Sequence, residues 1–286
     1  MATRDPSHTA PSPQASPPKP KALIVISSGR TLPLAQPSGH PGISTGFFLV
    51  EMAKVLQGFG DDYDLVFATP DGRPPQLDIN GMALNFHAVP GLGAATARAA
   101  VAQAARFDVA TFRQRRPQLL ARRDAELATA YQLLGKLPVS EPLPNTDKEA
   151  KLLRDDIVTA FAALPEHPYH SARELVQRNR DPQDPLKLRD FAFVHMPGGH
   201  APMIDFVDNP CLGELLNTLH EDGVLISLIC HAPVAMVCAK YRVAADGEIS
   251  RTSDHHFKGA RLAYYVDEAF KEAGYQVEAA TNRMAA

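Results

Sequence analysis

Continuous apolar runs of strand length constrain this chain more than any other feature. Residues 22–27 (Ala-Leu-Ile-Val-Ile-Ser), 63–68, 191–196 and 224–229 are each long enough for one strand and too short to cross a bilayer. An unbroken apolar run, as opposed to an alternating one, is the mark of a strand covered on both faces, which is the situation inside a parallel sheet. Helical patterns lie between the runs: residues 45–57, 211–221 and 231–240. This alternation predicts an α/β fold with a doubly wound, mostly parallel sheet flanked by helices. In such sheets the functional crevice lies beyond the carboxyl ends of the strands. The loops after Ser27, Met196 and Ile229 are therefore the places to look for chemistry.

At 286 residues, the chain can bury one large core, and strands spread from residue 21 to residue 265 predict a single domain. Residues 1–20, rich in Pro, Ser, Thr and Ala, read as a disordered tail. Residues 93–185 read as a helical insertion. They carry Arg113, Arg115, Arg116, Arg122 and Arg123, and interleaved acids make a solvated helix face the simpler account than an anion site. A formal charge of −3 gives no basic field for nucleic acid or an anionic membrane. The polar, proline-rich start does not read as a secretory signal. Three cysteines, Cys211, Cys230 and Cys238, form no disulfide framework and point to reduced thiols in the cytoplasm. The paired histidines His167/His170 and His255/His256, with His40 and His87, lack the companion ligands of a metal site and read as exposed.

The strongest local signal is Gly223-Val224-Leu225-Ile226-Ser227-Leu228-Ile229-Cys230-His231-Ala232-Pro233. An apolar strand runs straight into Cys230, and Pro233 is tolerated in a first helical turn. That is the pattern of a nucleophile elbow. A helix N-terminus favours negative charge and lowers a thiol pKa, so Cys230 is expected to hold a sizeable thiolate fraction at neutral pH. The elbow alone leaves a second reading open, because free cysteine is among the most buried residue types. Cys211 and Cys238 read as packing residues. Pro197-Gly198-Gly199-His200 follows another strand, and paired glycines there either form a tight connection or aim backbone N–H groups at an oxyanion. Glu51 stands in the apolar stretch Thr45-Gly46-Phe47-Phe48-Leu49-Val50-Glu51. It is either at the helix edge or buried and partnered, and burial would raise its pKa and fit it for proton transfer.

These three segments together resemble the ThiJ/PfpI superfamily, whose fold is the flavodoxin-like fold of class I glutamine amidotransferases. The branch of heat-shock chaperones and glutathione-independent glyoxalases (glyoxalase III) is the most similar. The resemblance covers roughly residues 21–86 and 190–262, and the acidic, Asn- and Pro-bearing stretch 205–216 is similar too. It implies Cys230 as nucleophile, His231 as its adjacent histidine and Glu51 as the acid contacting the thiol. It implies an oxyanion or substrate pocket at Gly198, Gly199, His200 and Ala232, where the family often has Gly at the last position. The acid that the family uses to orient the histidine is out of register here. Asp267 and Glu268 are the candidates, and the C-terminal part reads as shortened, without a final strand and helix. The implied activity is cofactor-free and metal-free conversion of a small reactive carbonyl such as methylglyoxal to D-lactate, or a deglycase reaction. A stress chaperone or a cysteine amidase or peptidase are the alternatives, and a homodimer follows by analogy.

Overall fold

The computed structural model describes residues 18–34, 42–84, 105–144 and 146–259, and the backbone of residues 261–264 and 276–279. Five strands make one sheet: β1 (Lys21–Val25), β4 (Asp64–Thr69), β5 (His170–Ser171), β6 (Phe191–Met196) and β7 (Leu225–Leu228), in the order β5-β4-β1-β6-β7. Every neighbouring pair is parallel. Setting aside the two-residue edge strand β5, the order is second-first-third-fourth, as at the start of a flavodoxin-like sheet. The chain thus has the α/β, doubly wound fold class that its apolar runs predict.

The alternation of side chains along β1 explains why that run is apolar throughout. Leu23 and Val25 enter one core, with α5 (Ala172–Arg180), α7 (Pro210–Glu221) and the 3-10 helix Ala232–Lys240. Ile24 and Ile26 enter the other, with α1 (Leu49–Phe59), α3 (Pro117–Leu134) and α4 (Lys148–Ala162). Each such side chain, fully removed from water, contributes about 2 kcal/mol. Helix α2 (Val109–Arg115) adds Phe112 to a small satellite cluster with Leu84 and Leu120. The short helix α6 (Pro202–Asp205) precedes α7.

Several local expectations are corrected. The first helix starts at Leu49 and not at residue 45, because Thr45–Phe48 is extended and Phe47 bridges to both Leu77 and Gly199. The segment after the elbow is a 3-10 helix over Ala232–Lys240, leading to a hairpin of β8 (Tyr241–Val243) and β9 (Ile249–Arg251). Arg123 is not on a solvated face; it is buried and makes two 2.6 Å bonds to the Glu149 carboxylate. Arg113, Arg115 and Arg116 are exposed. His255 is buried and His167 packs on Phe67 and Tyr169, so these two are not exposed histidines. Strands β2 (Thr31–Pro33) and β3 (Gly42–Ser44) form a small antiparallel pair. Strand β10 (Arg261–Tyr264) pairs parallel with β11 (Gln276–Ala279), a strand that the sequence pattern does not predict. Most of the tail, the start of the insertion, His40, His87, Asp267 and Glu268 lie outside the described residues.

Candidate active site

The site is assembled where β6 and β7 end and α1 begins. Cys230 follows β7 by two residues and has φ +58°, a left-handed conformation that non-glycine residues rarely adopt. Strain of this kind costs on the order of 1–3 kcal/mol and persists where the surroundings enforce it. Two backbone bonds close the elbow: Ile229 N–H to the Met196 carbonyl at 3.3 Å, and Ala232 N–H to the Ile229 carbonyl at 3.0 Å. The Ala232 N–H is therefore engaged within the turn. The N–H groups of Gly199 and His231 are the ones that act on the sulfur.

Glu51 lies in the first turn of α1 and resolves to the partnered alternative. Its Oε2 accepts the Gly198 N–H at 2.8 Å, and its carboxylate hydrogen-bonds the Cys230 thiol. The glycines make this approach possible. A Cβ on Gly198 would lie 2.6 Å from the Cys230 Cβ and 2.8 Å from Glu51 Oε2. Gly199 has φ +88°, and a Cβ there would lie 2.3 Å from the Gly46 carbonyl oxygen. His231 turns back onto its neighbour, with Nδ1 3.3 Å from Cys230 Sγ. His200 completes the cluster, its ring 5.3 Å from that of His231 and edge-on to Phe48 at 5.4 Å. The structure thus brings together Glu51, Gly198, Gly199, His200, Cys230 and His231.

The electrostatics reverse the expected acidity of the thiol. Cys230 is exposed at the surface, yet desolvation by the atoms crowded around its sulfur first, then the charge of Glu51, push it from its ordinary 9.0 up to about 11. The backbone N–H groups of Gly199 and His231 pull the other way without prevailing. Glu51 is itself raised, by burial above all, against the opposing hydrogen bonds from Cys230 and Gly198. His231 is lowered, chiefly by burial and next by the nearby His200. These directions favour a protonated Cys230 thiol in hydrogen-bond contact with the Glu51 carboxyl group, beside a neutral His231 imidazole. Proton acceptors stand ready, and the thiolate is not stored in advance.

Sequence patterns miss three supports of this cluster. Asp78 is fully buried, and its carboxylate accepts from Thr45 Oγ1 at 2.7 Å and from Gly46 N–H at 3.1 Å. It thereby pins the extended segment that leads into α1. His195 and Ser227 lie one layer below the site. Their only signal in the sequence is that each is a polar residue inside an apolar strand. Cys238 is buried, with Sγ donating to the Phe206 carbonyl, and Cys211 lies half-buried at the edge of the core, so both are packing residues.

Fold and site together define an α/β protein carrying a cysteine–histidine–glutamate cluster at the carboxyl end of a parallel sheet. No family model matches the chain, and no curated protein does. Among solved structures, it is similar to the Francisella tularensis Rapid Encystment Protein 24 KDa, with 12% identity over 93% of this chain and 86% of that one, at a TM-score of 0.43. It is also similar to glyoxalase III from Candida albicans, with 15% identity over 89% of this chain and 71% of that one, at a TM-score of 0.39. Among the described residues, no helix is long and apolar enough to cross a membrane.

Proposed function

We propose that this chain is a cysteine-dependent enzyme that converts a small α-oxoaldehyde, such as methylglyoxal, to the corresponding hydroxy acid. The observation that carries the reading is a single thiol contacting both a carboxylate and a neutral imidazole, with backbone N–H groups aimed at the same place. The ThiJ/PfpI-like motifs point the same way.

Cys230 adds to the aldehyde carbon as its proton passes to Glu51, giving a hemithioacetal whose oxygen faces the N–H groups of Gly199 and His231. His231, neutral because burial holds its pKa down, takes the proton from the former aldehyde carbon. His231 returns that proton to the neighbouring carbon, and Glu51 passes the proton it took from the thiol to the oxygen on that carbon, which turns the adduct into a 2-hydroxy thioester. Water then cleaves the thioester, releasing the hydroxy acid and restoring the thiol. The sequence is redox-neutral overall and consumes one water, so no electron carrier enters. Pure protein is expected to release D-lactate from methylglyoxal, and Cys230→Ala is expected to fall to the uncatalysed background. Equal product from both proteins, or none from either, defeats the proposal.

A stress-holdase reading is favoured by one separate observation. Leu225 in β7, at the edge of the five-stranded sheet, and Ile229 just after it are 67% and 42% exposed, open apolar side chains that could engage unfolded clients. Suppression of client aggregation that survives Cys230→Ala would support it.

A further inference from the structure

His195 is a histidine inside the central parallel sheet, 3% exposed, on a strand that is otherwise apolar. Two contacts account for its ring. Nε2 lies 3.2 Å from the backbone carbonyl of Glu51, and Nδ1 lies 3.0 Å from Ser227 Oγ. A carbonyl can only accept, so Nε2 carries the proton and donates to Glu51, and the Ser227 hydroxyl donates to Nδ1. Both ring nitrogens are satisfied by a neutral imidazole, and burial lowers the His195 pKa in agreement with that state.

The placement of the three partners gives the contact its meaning. His195 and Ser227 are cross-strand neighbours in the register of β6 and β7. Three residues after His195 the chain reaches Gly198, whose N–H holds the Glu51 carboxylate. Three residues after Ser227 it reaches Cys230. The third partner is the main chain of Glu51 itself. One hydrogen-bonded line, Ser227 to His195 to Glu51, therefore ties together the strands that end in the glycine turn and the elbow, and the helix turn that bears the acid. We propose that His195 is a positioning residue for the reaction, a strut that fixes the Glu51 carboxylate against the Cys230 thiol without touching substrate. The inference rests on the functional reading of that site, but it makes a prediction about the thiol alone.

The test is the pH dependence of Cys230 alkylation by iodoacetamide, followed at the Cys230 peptide by mass spectrometry, beside methylglyoxal consumption. His195→Leu keeps a side chain of similar size and removes the donor. Glu51 then loses its anchor, the Cys230 midpoint falls towards that of Glu51→Gln, and turnover drops about tenfold or more, as a displacement of under 1 Å can produce. His195→Gln places an amide N–H within reach of the same carbonyl and returns both measurements towards the wild type. A folded His195→Leu protein with an unchanged midpoint overturns the proposal, as does a Gln variant as defective as Leu. Should His195→Leu fail to fold, Ser227→Ala removes only the hydroxyl that orients the ring. A lowered midpoint with near-normal melting supports the strut, and an unchanged midpoint overturns it. Wild-type protein inert towards methylglyoxal would sink the proposed reaction, while the alkylation midpoints would still decide on His195.

Discussion

Replacing Glu51 by Gln should make Cys230 a faster target for alkylation and a poorer catalyst at once. The thiol is pushed up from its ordinary 9.0 to about 11, with desolvation as the larger cause and the Glu51 charge and hydrogen bond as further ones. If Glu51 accounts for at most half of that excess, removing its charge lowers the midpoint by up to about one pH unit. At a pH well below the midpoint the thiolate fraction then rises about tenfold. Intrinsic nucleophilicity falls with basicity by roughly half as much on a logarithmic scale, which leaves a net rise of about threefold in alkylation rate. The assay is the rate of iodoacetamide reaction at the Cys230 peptide from pH 6 to 11 in both proteins. Methylglyoxal consumption should move in the opposite direction, because the amide cannot accept the thiol proton. An alkylation rate unchanged or lowered in Glu51→Gln would refute the claim that the carboxylate holds the thiol protonated. A wild-type midpoint well below 9 would refute it too, and would restore the helix-mouth thiolate that the sequence pattern implies.

Two more outcomes follow from the geometry. Gly198→Ala puts a methyl 2.6 Å from the Cys230 Cβ and 2.8 Å from Glu51 Oε2, so both methylglyoxal turnover and the Cys230 alkylation profile should change while circular dichroism stays that of the folded protein. Asp205 is raised from 3.8 to about 6, by burial first, despite bonds from Ser27 and Ser28. The folded state therefore binds a proton more tightly than the unfolded chain, and this group's contribution to stability is lost as pH rises from about 4 to about 6. Asp205→Asn should remove up to about 3 kcal/mol of that slope in urea unfolding across the window, and an unchanged difference between pH 4 and pH 7 would contradict the shift.

The fold class was legible because burial on both faces leaves an unmistakable trace. Leu23 and Val25 face one core and Ile24 and Ile26 the other, so β1 has no polar side to interrupt the run. The apolar runs likewise placed β6, β7 and the two loops that carry Gly198 and Cys230, although β7, at the sheet edge, is not covered on both faces and leaves Leu225 exposed. Helix onset was not legible, since Thr45–Phe48 is held extended by Asp78, a carboxylate more than thirty residues distant in sequence. A local pattern of apolar spacing cannot register a tertiary hydrogen bond. Arg123 shows the same limit: interleaved charges suggest a wet helix face, yet its guanidinium is buried on Glu149, which comes from the next helix.

The acidity that the sequence pattern implies for Cys230 differs from the direction the folded site gives for a related reason, and the difference bears on mechanism. An elbow and a helix start both argue for a stabilised anion, and that argument treats the thiol as if the nearest charge were the helix itself. In the folded chain the nearest charge is a carboxylate, delivered by α1 from 179 residues earlier in the sequence. Field and desolvation then oppose ionisation, and a 3-10 helix with Pro233 near its start supplies only the N–H of His231 in compensation. A site of this kind does not depend on a standing population of thiolate. In the proposed reaction what counts is how closely proton transfer to Glu51 keeps pace with attack on the carbonyl, and so the fixed separation of sulfur and carboxylate. That places the supports of Glu51 at the centre of the chemistry: the Gly198 N–H at its oxygen, and His195 at its backbone.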